Sequence, residues 1–444
     1  MSMMHSAVSK RASEIMERIR LVSDSRFGLC VLVCLHIIIC CTSLVQVAHW
    51  QSYMSYEPAW IYHATAGVLA FSTVSLFFIF GRFSFGYFVG FSLFSMILGF
   101  IWLNSFSKFN YDHRLAGLSA AASAVLLLLP ALLVNTPLKQ LFTLSSRGLE
   151  FLLKFILVLA LGTILVASLY NFRLVSVRHI YDFRNELYFP APIRYLTGII
   201  STVLLPFACA CYLALNRPGW SVVPLILMLL FYPVTLSKFA LFSTAWVVLL
   251  LVLSRIFEPR AATILSILLP MLLGVIMMAT HLNSFTLFYF DLVNIRMMAT
   301  PSSAMDIYND FFSSHPPTWF CQISFLKPLM SCPYQEQLSI VMEKTYHFGN
   351  LNASMLATEG IASVGLYLAP LVALACGLVI ALGNRASAGL PPGFVLISAA
   401  LLPPTFLNVP FTTAMLTHGA GLLFLLWYIM PRTMFDRKIE AAAA

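Results

Sequence analysis

The chain has 444 residues, of which 60% are hydrophobic and only 10% charged. A soluble domain carries about 25% charged residues, so this composition excludes an ordinary globular fold and indicates an all-α polytopic integral membrane protein. The formal net charge of +9 would suggest nucleic acid in a soluble protein, but here the orienting cytoplasmic flanks of membrane spans account for most of it, and no nucleic-acid partner is expected.

Residues 1–26 carry Lys10, Arg11, Arg18, Arg20 and Arg26, with neither an apolar core nor a small-residue cleavage site before Phe27. They read as a cytoplasmic N-terminal segment, not a cleaved signal. From there apolar runs of about 20 residues recur, each long enough to cross roughly 30 Å of hydrocarbon. About twelve transmembrane helices are predicted, at roughly 27–48, 61–81, 84–103, 116–134, 151–170, 195–215, 220–236, 239–254, 261–281, 361–382, 393–413 and 414–430. The short pair around Lys238 also reads as one bent unit. Spans one to nine thus fill 27–281, with a basic loop at 171–194; a large helical loop fills 282–360, spans ten to twelve fill 361–430, and 431–444 form a cytoplasmic tail.

Basic residues orient this array. With the N-terminus inside, sixteen of the 26 Lys and Arg fall on the cytoplasmic side, which leaves both the 171–194 loop and the large loop extracytoplasmic. Seven of the nine cysteines lie in apolar segments and read as small hydrophobes. Cys321 and Cys332 lie in the large polar loop and are candidates for a disulfide if that loop faces an oxidising space.

The exceptions to the orienting bias are informative. Arg173, Arg178, Arg184 and Arg194 cluster in an external loop, where they either pair locally with Asp182 and Glu186 or form an anion site, guanidinium forks being suited to phosphate oxygens. Lys238 stands alone between apolar runs. Such a lysine commonly snorkels to the interface; facing a cavity, it would be a site.

The interval from His281 to Gly360 collects more anion-binding and proton-moving groups than any other: Arg296, Asp306, Asp310, His315, Lys327, Glu336, Glu343, Lys344, His347 and Glu359. Residues 283–296 suit a short amphipathic helix at the membrane surface. Thr300-Pro301 reads as a helix start, His315-Pro316-Pro317 ends that helix, and 333–346 reads as another. Asp306 and Asp310 fall four apart on one face near Tyr308, Asp306 being a candidate site residue or both forming a solvated helix face. His315 and His347 are candidate bases or ordinary loop histidines. Glu359 and Asn352 complete the candidates, Asn352 also suiting plain helix packing. No HxxxH or CxxC spacing, Walker loop or GxSxG occurs, so no metal or nucleotide cofactor is expected.

Two basic external loops, a modest one after span five and a large one after span nine, together with Arg296…Pro301…Asp306-x-Tyr308…Phe311-Phe312…His315-Pro316 and Asn352-Ala353…Glu359-Gly360…Gly365, resemble the Wzy-type O-antigen and polysaccharide repeat-unit polymerases and their ligase relatives. The Arg-x10-Gly pattern of some members is absent, and His347 stands five residues before Asn352, where the ligases have an adjacent His. The resemblance implies a metal-independent, inverting glycosyltransferase of the GT-C kind in the bacterial inner membrane, with its active site facing the periplasm. It would transfer a growing glycan from undecaprenyl diphosphate to the non-reducing end of a new lipid-linked repeat unit. Its partners would be the lipid-linked donor and acceptor oligosaccharides and membrane lipid, with a chain-length regulator as a further candidate. The chemistry needs cations for the leaving diphosphate, for which Arg296, Arg173, Arg178, Arg184, Arg194 and Lys238 qualify, with Tyr308 and Asn352 contributing to substrate binding. It also needs a base for the acceptor hydroxyl, from His315, His347, Asp306 or Glu359. An O-antigen ligase acting on lipid A-core and a lipid-linked oligosaccharide flippase or transporter are the alternatives, the latter disfavoured because no internal repeat is found.

Overall fold

The computed structural model describes residues 20–177, 179–180, 183, 187–280, 282–349, 351 and 353–435. The structure is helical, and ten helices among these residues are long and apolar enough to cross a membrane. They are α1 (Arg26–Trp50), α2 (Pro58–Phe80), α3 (Phe85–Asn104), α4 (His113–Leu133), α5 (Ser146–Ser168), α6 (Ala191–Ala214), α7 (Pro218–Thr235), α8 (Lys238–Ile256), α9 (Pro259–Thr280) and, after the polar interval, a long helix at Leu356–Ser387. Serine caps start several of them: Ser25, Ser84 and Ser145 accept the backbone N–H of Gly28, Tyr87 and Gly148.

The two spans expected at 393–413 and 414–430 are not continuous helices. Pro392–Ser398, Leu402–Asn408, Phe411–Leu416 and Ala420–Ile429 replace them. Pro403 and Pro404 sit in the first turn of Leu402–Asn408, Pro410 directly precedes Phe411–Leu416, and left-handed Gly419, φ 80°, separates that helix from Ala420–Ile429. Around Lys238 the structure forms two helices, not one bent unit. Leu236, left-handed at φ 44°, separates α7 from α8.

The chain divides into two compact units. Among the described residues, the first holds α1–α4, α9, the polar interval and residues to Val379. The second holds α5–α7, most of α8 and most of the C-terminal segment. In the second unit, Asn171 Nδ2 donates to Pro233 O and Val234 O at the C-terminal end of α7, and Arg217 pairs with Glu150 at 2.8 Å near the N-terminal ends of α5 and α7.

The first unit is built on α3, which is almost wholly buried. Its glycines let other helices approach closely. A Cβ at Gly99 would stand 2.5 Å from Ser302 Oγ, the hydroxyl that donates to Met96 O and ties the polar interval to α3. Within this unit the connections alternate between two ends, as antiparallel spans require. At one end Arg260 binds both Asp24 carboxylate oxygens and Gly81 O. At the other, residues 53–55 pair with 106–108 through Ser55 N to Phe106 O and Lys108 N to Tyr53 O.

That second end carries the polar interval. Ser284–Phe290 (α10) runs through a π-helical stretch, Asp291–Ala299, directly into Thr300–Ser314 (α11). Thr300-Pro301 is therefore not a helix start. Pro301 lies just after the widened turns, where its missing N–H costs little. The helix ends before His315-Pro316, as expected. The next helix, α12, is Leu338–Tyr346, shorter than the 333–346 expected. The long helix Leu356–Ser387 (α13) opens with a second π-helical stretch, Leu356–Ala362, and bends at Gly365, φ 75°. Carbonyls released at that bend accept from the loop after α11: Thr318 N donates to Ala362 O at 2.8 Å and Trp319 N to Ser363 O at 3.1 Å.

Cys321 and Cys332 form a disulfide, their Cα atoms 5.4 Å apart, just beyond this docking point. Closing a loop with a sequence separation of 11 restricts the unfolded chain by about 3 kcal/mol. The double variant Cys321→Ser/Cys332→Ser should therefore unfold several degrees below wild type in a thermal scan, and reductant should lower the wild type to match it.

Candidate functional site

One π-helical stretch runs into α11 and the other packs against it, and the arrangement exposes one charged group and buries another. A π turn carries an extra residue, which re-aims the side chains that follow it, and such turns recur at functional sites. In Asp291–Ala299 the anchor is Asn294, buried, whose Nδ2 donates to Ser43 Oγ at 2.9 Å and Met271 O at 2.8 Å. Gly274 admits this side chain, since a Cβ there would stand 1.9 Å from Asn294 Oδ1. With Asn294 held, Arg296 projects to the surface, with no ion-pair partner among the described residues.

Arg296 lines a cleft of about 190 Å³ together with Gln51, Tyr53, Thr300, Ser303 and Phe348. The walls come from the α1–α2 connection, the π stretch, the start of α11 and the segment after α12. Tyr53 and Phe348 meet at 4.6 Å between ring centroids, and Phe109 stacks behind Tyr53 at 5.7 Å. The Ser303 hydroxyl is buried and faces the Tyr53 phenol.

One turn beyond Ser303, on the same face of α11, lies Asp306, with no exposed surface. Its Oδ1 accepts from the Tyr111 hydroxyl, and its Oδ2 has no partner. Burial pushes the Asp306 carboxyl up to about 7; the Tyr111 and Ser107 hydroxyls oppose the shift, and the charge of Asp310 adds to it. Burial likewise raises the Tyr53 phenol to about 12, the Asp306 charge adding to it. Asp310, the second carboxylate of the face, is spoken for: it accepts from Asn110 N at 2.9 Å and from Tyr346 Oη at 2.6 Å, joining α11 to the α3–α4 connection and to α12.

The other predicted site residues lie elsewhere. His315 caps α11: its ring stacks on Phe311 at 3.9 Å, and its Nδ1 donates to Phe311 O at 2.8 Å. His347 is exposed and left-handed at the end of α12, the residue before the cleft-lining Phe348. Neither histidine lines the cleft. Tyr308 is buried on another face of α11, its phenol held far above the usual range by burial and by the charge of Glu359. Glu359 is buried in the second π stretch and accepts from Thr358 Oγ1. Arg173, over the Phe183 ring at 5.4 Å, Arg194, over Tyr195 at 5.9 Å, and Lys238, at the start of α8, all belong to the second unit. Arg178, Arg184 and Asn352 lie outside the described residues.

Sequence reading missed Gln51, Tyr53, Ser303 and Phe348 in the cleft and Tyr111 behind it. One signal was available for Tyr111, since Ser107–Arg114 (SKFNYDHR) is the most polar of the short connections on that side of the predicted topology. Comparison with protein-family models, with curated proteins and with solved structures returns no match to this chain.

Proposed function

We propose that this protein is a glycosyltransferase of the O-antigen polymerase kind, moving a growing glycan from a polyprenyl diphosphate carrier onto the non-reducing end of a second lipid-linked repeat unit. The observation that carries the reading is an exposed Arg296 in the cleft wall, without an ion-pair partner among the described residues, and a buried Asp306 one helical turn beyond the cleft-lining Ser303, its carboxyl pushed up to about 7 by burial. Such a transfer needs a fixed cation where the diphosphate departs and a carboxylate able to exchange a proton at working pH. In the step proposed, the acceptor hydroxyl gives its proton to Asp306. Its oxygen bonds to the anomeric carbon, and the bond from that carbon to the diphosphate breaks. The diphosphate leaves with the bonding pair, held by Arg296. Tyr53 and Phe348 supply ring faces for a sugar.

Charge and sulfur support a direction for the cleft. Sixteen of the 26 basic residues fall on the predicted cytoplasmic side, and the Cys321–Cys332 disulfide suits an oxidising compartment. We therefore place the protein in the bacterial inner membrane with the cleft open to the periplasm. The test is a purified-protein assay with a synthetic polyprenyl-diphosphate repeat unit, read as a ladder on a gel. A ladder without added metal or nucleotide is the expected result. Glycosylation of a lipid A-core acceptor without any ladder would overturn the reading in favour of a ligase. Lipid movement across vesicles with no glycan transfer would make the protein a transporter.

A further inference from the structure

The α3–α4 connection brings a third group to Asp306, and hydrogen-bond accounting gives that group a definite task. The Tyr111 hydroxyl reaches two acceptors, Asp306 Oδ1 and Asn104 Oδ1, the latter at 2.8 Å. A phenol carries one proton. The orientation of Asn104 is fixed by its surroundings: its Nδ2 donates to His113 O at 2.9 Å, so its Oδ1 is the end that faces Tyr111. Flipping the amide would set oxygen against oxygen. His113 Nδ1, at 2.9 Å, meets the same Oδ1, and His113 Nε2 meets Phe109 O at 3.0 Å. The Tyr111 and His113 rings lie 4.2 Å apart, which holds the phenol against this amide.

The Tyr111 proton therefore has two destinations. When it goes to Asn104, the contact between Tyr111 and Asp306 is a hydrogen bond only if Asp306 supplies the proton, as a neutral carboxyl. When Asp306 is a carboxylate, the phenol turns its proton onto it, beside the Ser107 hydroxyl, and leaves Asn104 to His113. We infer that Tyr111 is a positioning residue for Asp306, its single hydroxyl proton alternating between Asn104 and Asp306 as the carboxyl gains and loses its own. This rests on the reading of Asp306 as the proton acceptor of the transfer. The rotation lets Asp306 accept a proton from substrate without ever standing in the buried site as an unpaired charge.

The titratable groups facing Asp306 come from each element packed around it. They are Asp310 from α11 itself, Tyr111 from the α3–α4 connection, Tyr53 from the α1–α2 connection and Tyr346 from α12. Asp310 opposes ionisation of Asp306, and Tyr111 favours it by donating to the charged form. Two substitutions consequently act in opposite directions. Tyr111→Phe removes the larger of the two donors to the carboxylate, leaving Ser107. Asn104→Leu removes the competing acceptor, so that the phenol proton rests on Asp306 permanently.

The experiment is an infrared pH titration of the protonated Asp306 carboxyl in purified full-length protein, the band being assigned by its loss in Asp306→Asn. Tyr111→Phe is expected to move the midpoint up by about one pH unit, and Asn104→Leu to move it down. An unchanged midpoint in both variants, or a shift of both in one direction, would overturn the inference. If Tyr111→Phe does not yield folded protein, the downward shift in Asn104→Leu decides alone. The ladder assay is run on the same preparations. Opposite shifts in the two variants, with a wild type that makes no ladder, would uphold the role of Tyr111 and sink the glycan-transfer reading. A wild-type ladder without the shifts would do the reverse.

Discussion

Asp306→Asn should reduce ladder formation by roughly 10²–10⁴-fold while leaving the protein folded, the range expected when a positioned proton acceptor is removed. The size of the effect follows from where the carboxyl sits. It has no exposed surface, one oxygen lacks a partner, and it titrates near 7, so it exchanges protons at the pH of the reaction. The same burial fixes the sign of a stability effect. Its folded value of about 7 lies above the ordinary carboxylate value of 3.8, so the folded state holds the proton more tightly than the unfolded one. That contribution is fully present below about pH 4 and is lost as pH rises through 7, up to roughly 4 kcal/mol. The wild type should therefore lose thermal stability between pH 5 and pH 8, roughly the upper part of that window, whereas Asp306→Asn, neutral throughout, should not. Parallel pH–stability curves, or full turnover in the variant, would remove Asp306 from the mechanism. Turnover of the wild type should rise through the same interval, as the carboxyl gives up its proton.

How much of this was readable beforehand depended on the length scale of the cause. Spans one to ten follow from apolar runs, a local property, and their helices lie within a few residues of the expected positions. The region of the last two is broken into short helices, at prolines 403, 404 and 410 and at left-handed Gly419, which composition alone does not register. The helix through Thr300-Pro301 was misread as a start because a π-helical stretch leaves no pattern in sequence, whereas a proline after a threonine imitates a cap. Asp306 and Asp310 share a face and are indistinguishable by spacing. Their fates diverge because Tyr111 and Tyr53, far away in the chain, close over Asp306, whereas Asp310 meets Asn110 and Tyr346. His315 and His347 attract notice as bases, yet the first is occupied by its own helix terminus and the second ends α12 in the open. Long-range closure made the site, and the polar Ser107–Arg114 connection is the one local sign of it.

Arg296→Ala is expected to abolish long-chain product, a loss of roughly 10²–10³-fold, comparable with removing one preorganised donor from a developing negative charge. The guanidinium is suited to the task because no carboxylate pairs with it among the described residues, and it is exposed in the wall of the cleft. Its backbone is held independently by Asn294, bonded to Ser43 and Met271, so losing the side chain should leave the π stretch in place. The thermal midpoint of Arg296→Ala should accordingly stay within about a degree of wild type, as for other exposed substitutions. Arg296→Lys separates charge from geometry. A lysine keeps the cation but not the planar fork that grips two phosphate oxygens, so it should restore only part of the activity. In cells, the alanine variant should leave single repeats on the acceptor lipid and no ladder above them. Long chains of normal length from that variant would show that the diphosphate is held elsewhere, and the basic 171–194 loop with Arg173 and Arg194 would be the next place to look.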